Sequence, residues 1–183
     1  MEILTSCNTA SLSPYAPSDT NPWDVRKAKH LYRRAAMGAT DAQINIALSA
    51  TPQAAVDDLI NEALQIPNTQ APEWAYWSYS DYPTGEYNDL NNEQRSYMYR
   101  TGSYDVRDKS LKGRLTFFWS NHFVTQQEVY NHAPYIYQYW DTLQTHALGN
   151  FREFTRAMGL TNAMLIFLNG FDNTKQSPNE NYA

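Results

Sequence analysis

The chain has 183 residues, of which 42% are hydrophobic and only 18% charged, enough for one domain with a core of its own. Its 14 basic and 19 acidic residues give a net charge of −5, which leaves no cationic excess to neutralise phosphates and argues against general nucleic-acid binding. A single cysteine, Cys7, excludes an internal disulfide and a cysteine-based metal motif, and no stretch reaches the roughly 20 apolar residues of a membrane span.

Residues 1–22 are rich in Ser, Thr, Asn and Pro and read as an extended or poorly ordered leader. Met1–Cys7 has neither a basic start nor a long apolar run, so it does not look like a signal peptide; the cytoplasm is the default compartment and export stays open. Asp24 opens a predicted helix running to about Met37, with Gly38 placed for a left-handed cap. This helix carries a basic run, Arg26, Lys27, Lys29, His30, Arg33 and Arg34. We read it as the solvated face of an amphipathic helix in preference to a phosphate or polyanion site. Thr40 and Gln43 have capping-box spacing, so a second helix starts at Asp41 with Ile44, Ala47 and Leu48 as its apolar positions. Thr51-Pro52 repeats the start signal, and Val56, Leu59, Ile60 and Ala63 follow at helical steps before Pro67 and Pro72 close the unit.

Residues 73–107 differ in character. Trp74, Trp77 and seven tyrosines crowd a stretch with few aliphatics, broken by Pro83 and Gly85. It reads as an aromatic-rich insertion or long connection, with a helix over about 91–101. Periodicity returns at Lys109. Leu111, Leu115, Phe118 and His122 fall on one helical stripe, which the pattern turns toward the interior. Pro134 can begin the next helix, with Ile136, Trp140, Leu143 and Ala147 as its stripe and Gly149 as its stop. Asn150 and Glu153 cap another, holding Phe151, Phe154 and Met158. Thr161 caps a last short one, with Met164, Leu165, Phe167 and Leu168, turned off by Asn169-Gly170. Pro178 to Ala183 resembles a further helix start, so the chain is expected to lack a C-terminal half. Strand-type alternation never persists. The expected fold is therefore all-α, an irregular multi-helix bundle truncated at its C-terminal end. Residues 23–183 would form the N-terminal part of one helical domain around the 111–123 helix.

Several runs carry a family resemblance. Leu115-Thr116-Phe117-Phe118-Trp119-Ser120-Asn121-His122-Phe123-Val124-Thr125 resembles a tryptophan-centred signature. His146 to Phe154, Ala163 to Asn169 and Pro178 to Ala183 match in the same order. Together they resemble the large bacterial family catalogued as domain of unknown function number 1800, over roughly residues 23–64 and 108–183. In that family the last motif continues into a long helix, which implies a missing second half. One departure is Ala36, which stands where members often carry the first glycine of a Gly-Phe-Gly turn and implies a more regular helix end. The resemblance implies no activity and no cofactor.

Candidate chemistry centres on His122. An imidazole on an interior stripe must satisfy its ring nitrogens, either as a metal ligand or general base, or as a core histidine bonded to a backbone carbonyl or to Asn121. Glu180, between Asn179 and Asn181, is the second candidate. It could complete a metal site with His122, or act only as a helix cap. His132 and His146 read as structural or solvent-facing. Trp74 and Trp77 could stack on a glycan or dock a protein partner, with ordinary packing over the core as the plainer alternative. No Gly-rich phosphate loop, no Gly-x-Ser-x-Gly elbow and no His-x-x-x-His pair occurs. Two functions stay open on these residues. One is a helical enzyme of unknown reaction, with His122 and Glu180 in a site completed by the missing C-terminal half. The other is a non-catalytic glycan- or protein-binding or assembly module using the aromatic segment.

Overall fold

The computed structural model describes residues 13–107 and 110–179. Among the described residues the fold is all-α, with nine α-helices and no strand. The helix starts follow the local chemistry of the chain. In α1 (Val25–Ala35) Asp24 accepts from the Lys27 amide; in α2 (Asp41–Ser49) Thr40 and Gln43 complete the capping box; in α3 (Pro52–Gln65) Thr51 accepts from the Ala54 amide. The chain leaves α1 at Ala36 in extended conformation, and Gly38 at φ +120° makes the turn into α2, a backbone geometry that L side chains rarely adopt. α1 packs on α2, α2 on α3, and α3 on α5, so these three helices form a layer joined to the rest at α5.

The remaining helices are α4 (Tyr87–Arg107), α5 (Leu111–His122), α6 (Gln127–Tyr130), α7 (Ala133–His146), α8 (Phe151–Gly159) and α9 (Asn162–Phe167). α7 is the hub, packed against α4, α5, α8 and α9. Leu143, Phe154 and Met158 are fully buried and join Met98, Ile136, Tyr137 and Met164 in one cluster. None of the described helices is long and apolar enough to cross a membrane.

Two expectations change. In the aromatic-rich stretch the helix expected over about 91–101 is longer, the 21-residue α4, and it packs against α5 and α7. Its inner face is Asn91, Gln94 and Met98, at helical steps but largely polar, so no aliphatic stripe marks it. The buried amides are satisfied. The Asn91 side chain donates to the Asn131 carbonyl at 3.0 Å and accepts from the Ala133 amide at 2.8 Å, and Gln94 accepts from the Tyr82 hydroxyl at 2.6 Å.

The second correction concerns α5. The buried residues are Lys112, Gly113 and Thr116, while Phe118 is 54% exposed and His122 is exposed. The helix is turned by one residue, about 100°, from the expected orientation. Small side chains at Gly113 and Thr116 give a flat face for close packing. Lys112 is drawn in by polar partners: its ammonium donates to the Ile66 carbonyl and to Asn68 Oδ1, both at 2.7 Å. The apolar residues encircle α5, so hydrophobicity alone does not choose its inner side.

This rotation makes a measurable difference. Phe154→Ala, at a fully buried position, should cost about 3–5 kcal/mol in urea unfolding. Phe118→Ser should cost no more than about 1 kcal/mol. A cost at Phe118 equal to that at Phe154 would put the expected stripe back inside.

Candidate functional site

A cleft of about 520 Å3 opens between α4, α5, α6 and α7. Tyr99 comes from α4, Phe117 and Ser120 from α5, Gln127 and Tyr130 from α6, and Trp140 from α7. α4 and α7 meet closely at its edge, where a side chain on Gly102 would touch the Trp140 ring at 3.8 Å. The floor is tied by hydroxyls. Tyr139 donates to the Phe123 carbonyl at 2.8 Å, holding the end of α5 against α7, and the Tyr130 and Thr125 hydroxyls lie 3.2 Å apart. Burial pushes both phenols well above the ordinary tyrosine value of 10, so at neutral pH they act as hydrogen-bonding groups and not as bases. None of the described residues lining the cleft is charged. One polar atom there is unmatched: Gln127 Oε1 is buried and has no hydrogen-bond partner.

The residues singled out from the sequence fall elsewhere. His122 ends α5 at the surface. Its ring stands edge-on to Trp119 and Phe123, with centroids 5.7 and 5.0 Å apart, and 6.4 Å from Phe151. The expected inward imidazole is therefore overturned, because the rotation that buries Lys112 and Thr116 carries position 122 outward. Asn121 is exposed, and its amide donates to the Phe117 carbonyl at 2.9 Å. Trp74 is half-buried, edge-on to Tyr97 at 5.9 Å, and Trp77 is half-buried, edge-on to Tyr82 at 5.2 Å. Asn179 folds back on the end of α9, donating to the carbonyls of Leu168 and Asn169 at 3.2 and 2.8 Å. Glu180 and Asn181 lie outside the described residues. No group of three or more His, Cys, Asp or Glu side chains placed to hold a metal occurs among the described residues.

The buried histidine is His132, with 0% of its surface exposed. It sits in a cage of tyrosines: stacked on Tyr79 at 4.3 Å, edge-on to Tyr135 at 4.4 Å, and flanked by Tyr82 and Tyr87. Nε2 lies 3.2 Å from the Trp77 carbonyl, which can only accept, so the proton is on that nitrogen. Nδ1 then faces the Tyr87 hydroxyl at 3.4 Å, and that hydroxyl donates to the Asn131 carbonyl at 3.0 Å. Burial lowers the imidazole pKa from its ordinary 6.5, with the Trp77 carbonyl offsetting part of the effect.

A family model for a protein of unknown function, DUF1800, matches residues 30–183. The chain belongs to this family. No curated protein matches it, and no solved structure does. In this DUF1800 chain Trp140, which the sequence places on the core stripe of α7, lines the cleft, and the polar inner face of α4 leaves no aliphatic stripe to mark the wall that Tyr99 belongs to.

The His132 cage of the DUF1800 chain gives a pH dependence of defined sign. Its folded pKa is depressed, so the unfolded chain takes up a proton first. The stability contributed by the neutral imidazole is complete above about 6.5 and is lost as pH falls below that value toward the folded pKa. The urea midpoint should therefore drop between about pH 7.5 and pH 5.5, and His132→Gln should lose most of that decline. An unchanged slope in the variant would place the titration elsewhere.

Proposed function

We propose that this protein is a non-catalytic binding module whose cleft between α4, α5, α6 and α7 takes an uncharged, hydroxyl-rich ring, as in a glycan. Three features support the reading. Tyr99, Phe117 and Trp140 offer ring faces at or near the surface. Ser120, Thr125 and Tyr130 add hydroxyls between them. The described lining carries no charge, so an ionic ligand would lose its hydration without gaining a counter-charge there. The observation that carries most weight is the pairing of ring faces with hydroxyls in a cleft whose described lining has no charge.

This moves the binding reading from Trp74 and Trp77, whose rings are half-buried in packing, to a neighbouring surface of the same aromatic-rich region. A catalytic reading through His122 would need Glu180, outside the described residues, and a partner for an imidazole whose neighbours here are aromatic rings.

A panel of neutral oligosaccharides, followed by intrinsic tryptophan fluorescence, tests the proposal. At least one should bind, and Trp140→Ala should weaken it by roughly tenfold, about 1.4 kcal/mol. Tyr76→Ala, at an exposed ring outside the cleft, should leave affinity unchanged. Equal binding by Trp140→Ala and the parent chain, or no binding by any neutral sugar, rules the reading out.

A further inference from the structure

A second cavity, of about 470 Å3, lies between residues 14–23, α1 and the start of α3, and has a different chemistry. Its walls are built locally. Reciprocal backbone hydrogen bonds between Ser18 and Asn21, 3.2 and 3.0 Å, close a tight loop, and the Tyr15 hydroxyl donates to the Asn21 carbonyl at 2.6 Å. This folds the Tyr15 ring back toward Trp23, with centroids 6.3 Å apart. The Trp23 indole N–H donates to the Ala47 carbonyl at 3.0 Å, which pins that ring to α2. Leu31 and Val56 add aliphatic surface from α1 and α3. Two aromatic rings and two aliphatic side chains thus form a preorganised apolar pocket.

One side of this pocket is cationic. Lys27, His30 and Arg34 fall at i, i+3 and i+7, one face of α1, and all three line the cavity. No aspartate or glutamate is among the described residues that line it. The Lys27 ammonium donates to the Pro22 carbonyl at 2.6 Å and stands 5.3 Å over the Tyr15 ring, so it is held at the cavity wall with donor capacity left over. Pro52 and Gln53, the first residues of the 14-residue α3, add the positive end of that helix. The basic run that reads from sequence as a solvated face is therefore split: Arg26, Lys29 and Arg33 lie on another side of α1, against Gly38 and Asp41.

We propose that this cavity binds an amphipathic organic anion. A carboxylate or phosphate head would meet Lys27, His30 and Arg34, and an alkyl or aromatic body would lie between Tyr15, Trp23, Leu31 and Val56. Each half alone is insufficient. Exposed cations give an isolated anion little affinity, and the chain's net charge of −5 opposes extended polyanions. Burial of an apolar body supplies the missing stabilisation, roughly 25 cal/mol per Å2 of apolar surface.

Calorimetric titration of the full chain with decanoate, decyl phosphate, a decyl tetraethylene glycol ether and inorganic phosphate separates the contributions. Decanoate or decyl phosphate should bind one to one, at least roughly tenfold tighter than the uncharged ether or inorganic phosphate, and the tighter of the two identifies the head group. Lys27→Gln combined with Arg34→Gln should weaken the anionic amphiphile at least fivefold without weakening the uncharged ether. Trp140→Ala, in the other cleft, should leave it unchanged. Tyr15→Ala, which removes one ring of the apolar wall, should also weaken it and serves if the double variant misfolds. Affinity for the uncharged ether equal to that for decanoate, retention of decanoate affinity in Tyr15→Ala or in a folded double variant, or no decanoate binding at millimolar concentration would each overturn the proposal.

Discussion

A buried ammonium sets the arrangement on which the rest of the molecule depends. Lys112 is only 9% exposed, and its charge is met by the Ile66 carbonyl and Asn68 Oδ1, both at 2.7 Å. A buried cation without such partners would be costly. Asn68 is in turn fixed by α7, donating to Asp141 Oδ1 at 2.8 Å and to the Thr145 hydroxyl at 2.7 Å, while the Thr69 amide donates to Gln144 Oε1 at 2.9 Å. The segment after α3 is thereby bonded to both α5 and α7, and the first three helices are joined to the hub through a polar seam. The same bonds fix the rotation of α5. With Lys112 and Thr116 inward, Trp119 and Phe123 pack on the core, Phe117 and Ser120 reach the cleft, and His122 is carried to the surface.

A second polar node orders the aromatic segment. Asn131, in the left-handed conformation at φ 40°, and His132 turn the chain from α6 into α7. The Asn131 carbonyl accepts from Asn91 and Tyr87, its side chain accepts from Arg95 at 2.5 Å, and His132 reaches the Trp77 carbonyl. The tyrosines between residues 79 and 87 stack around that imidazole. An aromatic-rich stretch with few aliphatics is thus held by ring contacts and buried hydrogen bonds, each of which is satisfied only when α4, α6 and α7 are together. Burial without a counter-charge keeps the caged imidazole neutral, which suits a structural histidine more than a proton-transfer group.

The functional surfaces that follow are chemically distinct. The cleft beside Trp140 combines rings and hydroxyls without charge, the setting proposed for a neutral polar ligand. The cavity beside Trp23 combines rings and aliphatic walls with Lys27, Arg34 and the His30 imidazole, the setting proposed for an anion with an apolar body. Neither holds a carboxylate among its described lining residues.

The sequence by itself determined where most helices begin and that the described residues fold into helices without strands. Asp24, Thr40, Thr51, Asn150 and Thr161 each cap the helix they were expected to cap, because a side-chain oxygen bonding an amide two or three residues on is local chemistry, independent of the rest of the fold. The apolar identity of Leu143, Phe154 and Met158 likewise placed them in the core. Only the tertiary structure decided which side of α5 faces inward, that α4 is a core helix with a polar inner face, and which histidine is enclosed. These depend on partners distant in the chain: Ile66 and Asn68 for Lys112, Asn131 for Asn91, Trp77 for His132. A helix apolar around most of its girth has no preferred face of its own. A buried polar residue shows as interior only once its hydrogen-bond partner is in place.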